Sequence, residues 1–145
     1  MASTQTRTMK VGVAGLGVGA MGVVRAMEAA PFIEIVAAAD VRPQALQAFE
    51  KKYGGKGYGS VEALAQDPDV EVIWVSTPNR YHAAHTVLAA NGGKHVVVEK
   101  PMATSLEEAA QMVEAADKNN VKLLCGHTAS LMAGFRAMRR VITSA

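Results

Sequence analysis

A single cysteine, Cys125, is the only thiol in this 145-residue chain, so no internal disulfide can form and a disulfide-stapled scaffold is excluded. Long apolar runs are missing as well. None approaches the roughly 20 residues that a membrane-spanning helix needs, which removes the membrane class. Aromatic residues are scarce, one Trp, three Tyr and three Phe, and they are scattered; without a basic face interleaved with them, nucleic-acid binding is not expected. A large excess of one charge is lacking too, since 15 Lys+Arg stand against 13 Asp+Glu. The small basic surplus comes from Arg136, Arg139 and Arg140, which follow His127 with no acid among them. The polar start MASTQTRTMK has no apolar segment behind it and does not read as a secretory leader. Residues 1–8 are expected to form a disordered tail, and the protein to be cytoplasmic.

What the chain does have is hydrophobic residues, half of its composition, arranged in short runs that alternate with longer stretches of helical period. That alternation predicts βαβ units and a parallel sheet covered on both faces. The first run, Met9 to Ala14, ends in a glycine-rich turn and leads into a helix through about Ala29, closed by Pro31. Phe32 to Ala39 is a second run ending on Asp40, and Pro43 stands where the first turn of a helix accepts proline. Gly54 and Gly55 stop that helix. A weak extended piece around Gly57 to Gly59 precedes Ser60, a predicted N-cap for the helix with Val61 and Leu64.

The second half repeats the rhythm. Val70 to Ser76 is β-branched and broken by Pro78, with Asn79 placed to cap a helix that Gly92 and Gly93 end. Val96 to Val98 is closed by Glu99-Lys100-Pro101. Ser105 and Glu108 form a capping-box pattern for a helix reaching Asn119 or Asn120, and Val121 to Cys125 is the last strand. Six strands of this kind fit a Rossmann-type doubly wound sheet in the order 3-2-1-4-5-6.

Gly15-x-Gly17-x-x-Ala20 follows a strand and opens a helix, the context that a dinucleotide fingerprint requires. Gly15 permits the tight turn, Gly17 lets backbone approach a pyrophosphate, and small Ala20 lets the helix pack closely on the sheet. Asp40 ends the second strand about 20 residues on, where a carboxylate can accept from an adenosine ribose and favours NAD. Arg42 keeps NADP open, because a nearby guanidinium can accommodate a 2′-phosphate. Gly15-x-Gly17-x-Gly19 also suits an S-adenosylmethionine-dependent methyltransferase, although Ala14 stands where those enzymes usually carry an acid. His82 and His85 share one helical face but are too few for a metal site, and no metal is expected.

Ser76-Thr77-Pro78-Asn79 with His82 and His85, followed by Glu99-Lys100-Pro101, resembles the oxidoreductase family of glucose-fructose oxidoreductase and myo-inositol dehydrogenase, from Met9 onward. Leu123-Leu124-Cys125-Gly126-His127-Thr128 with Arg136-x-x-Arg139 is similar to its branch of dihydroxyphthalate and phthalate cis-dihydrodiol dehydrogenases. The resemblance implies that Gly15, Gly17, Val18 and Gly19 form the pyrophosphate turn and that Asp40 holds the adenosine ribose. It implies that Thr77, Asn79 and His82 line the cofactor, that Glu99 holds the nicotinamide ribose, and that Lys100 is the catalytic lysine beside the substrate hydroxyl. His127 is a candidate substrate contact. The implied chemistry is hydride transfer between nicotinamide and a CH–OH group of a cyclic diol or sugar-like polyol.

Such a family carries a second, mostly antiparallel domain, and the resemblance implies that residues 9–128 are the nucleotide-binding half. Residues 129–145 then read as a terminal helix leading toward that missing domain, with Leu131, Phe135, Met138 and Ile142 on one apolar face. The same face makes a homo-oligomer an expectation, and it leaves open a non-catalytic NAD-sensing module as the alternative to an enzyme.

Overall fold

A computed structural model describes residues 7–127 and 132–144. Most of the expected tail, together with Thr128 and Leu131, lies outside the described residues. Six strands, β1 (Met9–Ala14), β2 (Ile33–Ala39), β3 (Lys56–Tyr58), β4 (Val72–Val75), β5 (His95–Val98) and β6 (Leu123–Cys125), form one parallel sheet. Its order is β3-β2-β1-β4-β5-β6, as the alternation predicts. The helices are α1 (Val18–Glu28), α2 (Pro43–Tyr53), α3 (Val61–Ala65), α4 (His82–Asn91), α5 (Leu106–Lys118) and α6 (Ala133–Thr143).

Because side chains alternate across a strand, each strand feeds two cores. On one face, Ala14, Ala37, Ala39, Ile73, Val75, Val96 and Val98 pack under Leu64 of α3, Ala89 of α4 and Met112 of α5. On the other, Val13 and Ala38 meet Ala20 of α1 and Phe49 of α2, while Val11 and Val72 meet Met27 of α1. Three helices therefore cover the first face, and two cover the second from β3 to β1, with Met27 of α1 reaching Val72 at the start of β4. Over β4, β5 and β6 that second face carries Trp74, Val97 and Leu124, and Leu124 is 63% exposed.

Several boundaries differ from the sequence reading for local reasons. Strand β4 is shorter than Val70 to Ser76, and β6 begins at Leu123 rather than Val121, because a strand extends only as far as its neighbours offer partners. Asn79 caps no helix. It opens a single 3-10 turn, Asn79–Tyr81, and α4 starts only after it. At α5, the Ser105 hydroxyl accepts from the Glu108 N–H as a capping box requires, but the Glu108 carboxylate accepts from Thr104 instead of Ser105. Helix α6 has no buried residue, and Phe135, Met138 and Ile142 are all exposed. Among the described residues no helix is long and apolar enough to cross a membrane.

Candidate functional site

The carboxyl ends of β1, β2 and β4 open into one cleft of about 790 Å³. That is the edge of an open α/β sheet where the strand order reverses and ligands are received. Its floor is the turn after β1. Gly15 sits at φ +90°, and a Cβ there would lie 3.0 Å from the carbonyl of Ser76 and the amide nitrogen of Thr77. Only glycine allows both the left-handed backbone and that crossing of two turns. The Ser76 hydroxyl fastens the crossing by donating to the Gly15 carbonyl at 2.8 Å.

Helix α1 begins at this floor with Gly17 as its N-cap, no side-chain cap and no acid in its first turn. Its first N–H groups therefore lack side-chain acceptors, and with the helix dipole they favour an anion. A Cβ at Gly17 or Gly19 would meet nothing within 4 Å, so the glycines leave backbone bare toward open space. That open, uncapped cradle fits the pyrophosphate of a dinucleotide, and Val18, 88% exposed, stands at its rim.

Asp40 follows β2 on the adjoining wall. Its carboxylate accepts from the Leu16 N–H and from the Arg42 backbone N–H, each at 2.9 Å, and from the Arg42 guanidinium. The Arg42 side-chain hydrogen bond, reinforced by these backbone donors, holds the Asp40 carboxyl down at about 2 against the opposing effect of burial. It is ionised at neutral pH and, among the described residues, is the one acid in a cleft lining that also holds Arg42 and Arg80.

Thr77 lines the opposite wall, and its hydroxyl lies 2.9 Å from Nδ1 of His85. The His85 ring stacks on Tyr81 with centroids 5.5 Å apart, and the Arg80 guanidinium lies 4.7 Å from the Tyr81 ring. Burial first, and then the charge of His82, lower the pKa of His85. Arg80 and Tyr81 are not among the residues that the sequence assigns to the site, and His85 enters there only through the resemblance motif and as half of a metal pair. A cation and an aromatic directly after Thr77-Pro78-Asn79 were the available signal.

The remaining residues lie away from this wall. His82 is buried beneath it, 1% exposed, with Nδ1 2.8 Å from the Pro101 carbonyl and Nε2 2.8 Å from the Thr77 carbonyl. It braces the turn after β4 against the turn after β5 and presents no ring atom to the cleft. Asn79 is exposed on the 3-10 turn. Glu99 is half-buried, its N–H bonded to the Val75 carbonyl at 2.9 Å and its carboxylate accepting from the Lys100 N–H at 3.3 Å. Lys100 is exposed at the same carboxyl edge, next to the end of β6, where the Gly126 N–H bonds the Val98 carbonyl and His127 is exposed. Burial, then the charge of Glu99, raises the Cys125 thiol, which favours the unreactive protonated form. Among the described residues no three His, Cys, Asp or Glu side chains gather as metal ligands.

Residues 9–127 match the model of an oxidoreductase family with an NAD-binding Rossmann fold. The 1-carboxy-3-chloro-3,4-dihydroxycyclohexa-1,5-diene dehydrogenase of Comamonas testosteroni is 38% identical over 123 residues, which cover 84% of this chain and 31% of that protein. The crystal structure of the WlbA dehydrogenase from Bordetella pertussis, in complex with NADH and UDP-GlcNAcA, superposes with a TM-score of 0.89 at 28% identity, covering 95% of this chain and 40% of that one. A 3-ketoreductase from Actinomadura kijaniata, in complex with NADP and TDP-benzene, also gives 0.89, at 27% identity and with 95% and 43% covered. The chain thus spans less than half of the length of these proteins, 31% to 43%.

Proposed function

This chain belongs to the oxidoreductase family with the NAD-binding Rossmann fold, and from that premise we propose that it is the cofactor-binding half of an NAD(P)-dependent dehydrogenase. The family assignment removes the methyltransferase alternative. The observation that carries the proposal is the convergence of the uncapped α1 N-terminus and the ionised Asp40 on one cleft.

In this reading the α1 cradle receives the pyrophosphate and Asp40 the adenosine ribose. Gly15, Gly17, Val18 and Gly19 supply the close backbone approach, and Thr77 and Ser76 close the wall toward β4. Glu99, at the end of β5, faces the nicotinamide ribose. Bound there, nicotinamide accepts or donates the hydride. Lys100 carries an ammonium whose donors polarise the substrate oxygen and take up its developing negative charge. His82 is assigned a bracing role, since both ring nitrogens are engaged with backbone carbonyls.

A cyclic diol or sugar-like polyol is the proposed substrate class. The dihydroxycyclohexadiene in the name of the Comamonas relative supports the cyclic vicinal diol, and the nucleotide sugar bound by the Bordetella protein supports the polyol. Residues 9–128 form the proposed nucleotide domain. Residues 129–145 lead toward a substrate domain, in keeping with the share of each relative that this chain spans.

Calorimetric titration with NADH tests the proposal. We expect saturable one-to-one binding at cofactor concentrations up to about 1 mM; no heat of binding from folded protein would reject it. Lys100→Met should leave that affinity unchanged, because Lys100 lies outside the cleft wall, and should abolish turnover once the substrate domain is present.

A further inference from the structure

One contact in the cleft wall changes its chemistry with a single proton. The Thr77 hydroxyl oxygen lies 2.9 Å from Nδ1 of His85. A neutral imidazole carries one N–H, so Nδ1 donates or accepts according to where that proton sits, and a hydroxyl can answer either way. An imidazolium leaves no such choice. Its Nδ1–H donates, the Thr77 oxygen accepts, and the Thr77 O–H is left to donate into the cleft that Thr77 lines.

What Thr77 stands beside decides which state a ligand prefers. A Cβ on Gly15 would lie 3.0 Å from the Thr77 amide nitrogen, so Thr77 abuts the glycine floor of the α1 cradle. An anion held in that cradle offers acceptor atoms only, and a committed donor suits it better than a hydroxyl that can face either way. His85 itself is half-buried and stacks on Tyr81, whose ring already has the Arg80 guanidinium 4.7 Å from its centroid. An aromatic face of this kind also tolerates an imidazolium.

The protein's own charges favour the neutral ring. Burial first, and then His82 on the same helix, lower the His85 pKa from the ordinary histidine value. Arg80 on the 3-10 turn adds another cation to the lining, while Asp40 and Arg42 across the cleft are paired with each other. Glu62 of α3 is exposed outside the cleft, and no charged residue of α5 lines it. A pyrophosphate would bring negative charge into the same cleft.

Resting on the cofactor-binding reading of this cleft, we propose that His85 is a positioning residue for the dinucleotide, taking up a proton as the cofactor binds and so fixing the Thr77 hydroxyl as a donor toward the pyrophosphate. The proton comes from solvent onto the ring, Nδ1–H holds the Thr77 oxygen, and the Thr77 O–H is committed to the ligand. Linkage sets the sign. A ligand that favours the protonated ring binds more tightly as pH falls, from the raised pKa of the bound ring down to the lowered pKa of the free one, and the gain levels off below both.

The test is calorimetric titration of the full chain with NAD⁺, in buffers of different ionisation heat, from about pH 8 to about pH 5.5. The unaltered protein should take up roughly 0.3 to 1 proton per cofactor near pH 6, and should bind about 3- to 10-fold more tightly there than at pH 8. His85→Asn sets an amide N–H in place of Nδ1 and does not titrate. Its proton uptake should be absent and its affinity independent of pH, whereas uptake by another histidine would persist in this variant. Thr77→Val keeps the shape without the hydroxyl and should bind at least about 3-fold more weakly at pH 6, losing most of the difference between pH 6 and pH 8. Thr77→Ser should keep the profile. A contact that only props the wall would weaken binding equally at every pH. That result in Thr77→Val, uptake retained in His85→Asn, or no uptake by the unaltered protein would overturn the proposal while leaving the dehydrogenase reading in place. Failure of the folded protein to bind NAD⁺ at any pH overturns both.

Discussion

Asp40 shows how the side chain proposed to recognise the cofactor can also carry stability. Its carboxyl is held at about 2, chiefly by the Arg42 side chain, so the folded state binds the Asp40 proton more weakly than the unfolded state does. The resulting stabilisation is present above the ordinary carboxylate range and is lost as pH falls through 4 toward 2. Asp40→Asn removes the effect. We expect the variant to be about 2 kcal/mol less stable at pH 7 and the difference to shrink toward pH 2, as read from urea midpoints across that range. The position of Asp40 was legible in the sequence, from its distance to the glycine turn and its place at the end of an apolar run. Its occupation by Arg42 was not, because a two-residue separation says nothing about whether a long side chain folds back or extends.

Among the elements, α4 does more than cover the sheet. Its first residue, His82, joins the turns after β4 and β5 through two carbonyls 24 residues apart along the chain. Replacing it by leucine fills similar space but removes the ring's one N–H, so that one of the Thr77 and Pro101 carbonyls loses its donor. His82→Leu should cost about 1–3 kcal/mol in urea denaturation. A cost below about 0.5 kcal/mol would show that the ring braces nothing. Helix boundaries here were mostly readable: Pro43 at the start of α2, Gly54 in the left-handed conformation at its end, and the Ser60 and Ser105 hydroxyls as caps. Asn79 was read as a cap by its type and place, and the structure spends it on a 3-10 turn. That turn delays α4 until the His82 ring can point inward.

Taken whole, the molecule is a sheet with unequal cover. Helices α3, α4 and α5 close one face, whereas the β4–β5–β6 half of the other carries exposed Leu124, with Trp74 and Val97 beside it. The buried Nε1 of Trp74 has no hydrogen-bond partner among the described residues. Helix α6 buries no residue against this sheet. Truncation after His127 should therefore leave the urea midpoint unchanged within about 0.5 kcal/mol of stability. A loss of several kcal/mol would show that α6 packs on the open half of the sheet in solution.

The sequence by itself determined the order of the six strands, the glycine turn, the acid that follows β2 and the Glu99-Lys100-Pro101 turn. Periodicity, capping and turn chemistry are local properties, written within a few residues of where they act. Tertiary structure alone decided which side chains share a wall. His82 turned inward to brace two turns; His85, Tyr81 and Arg80 took the cleft face; Arg42 closed on Asp40. Each of these depends on how side chains from separate strand ends meet across crossovers of 13 to 24 residues, which no local pattern records.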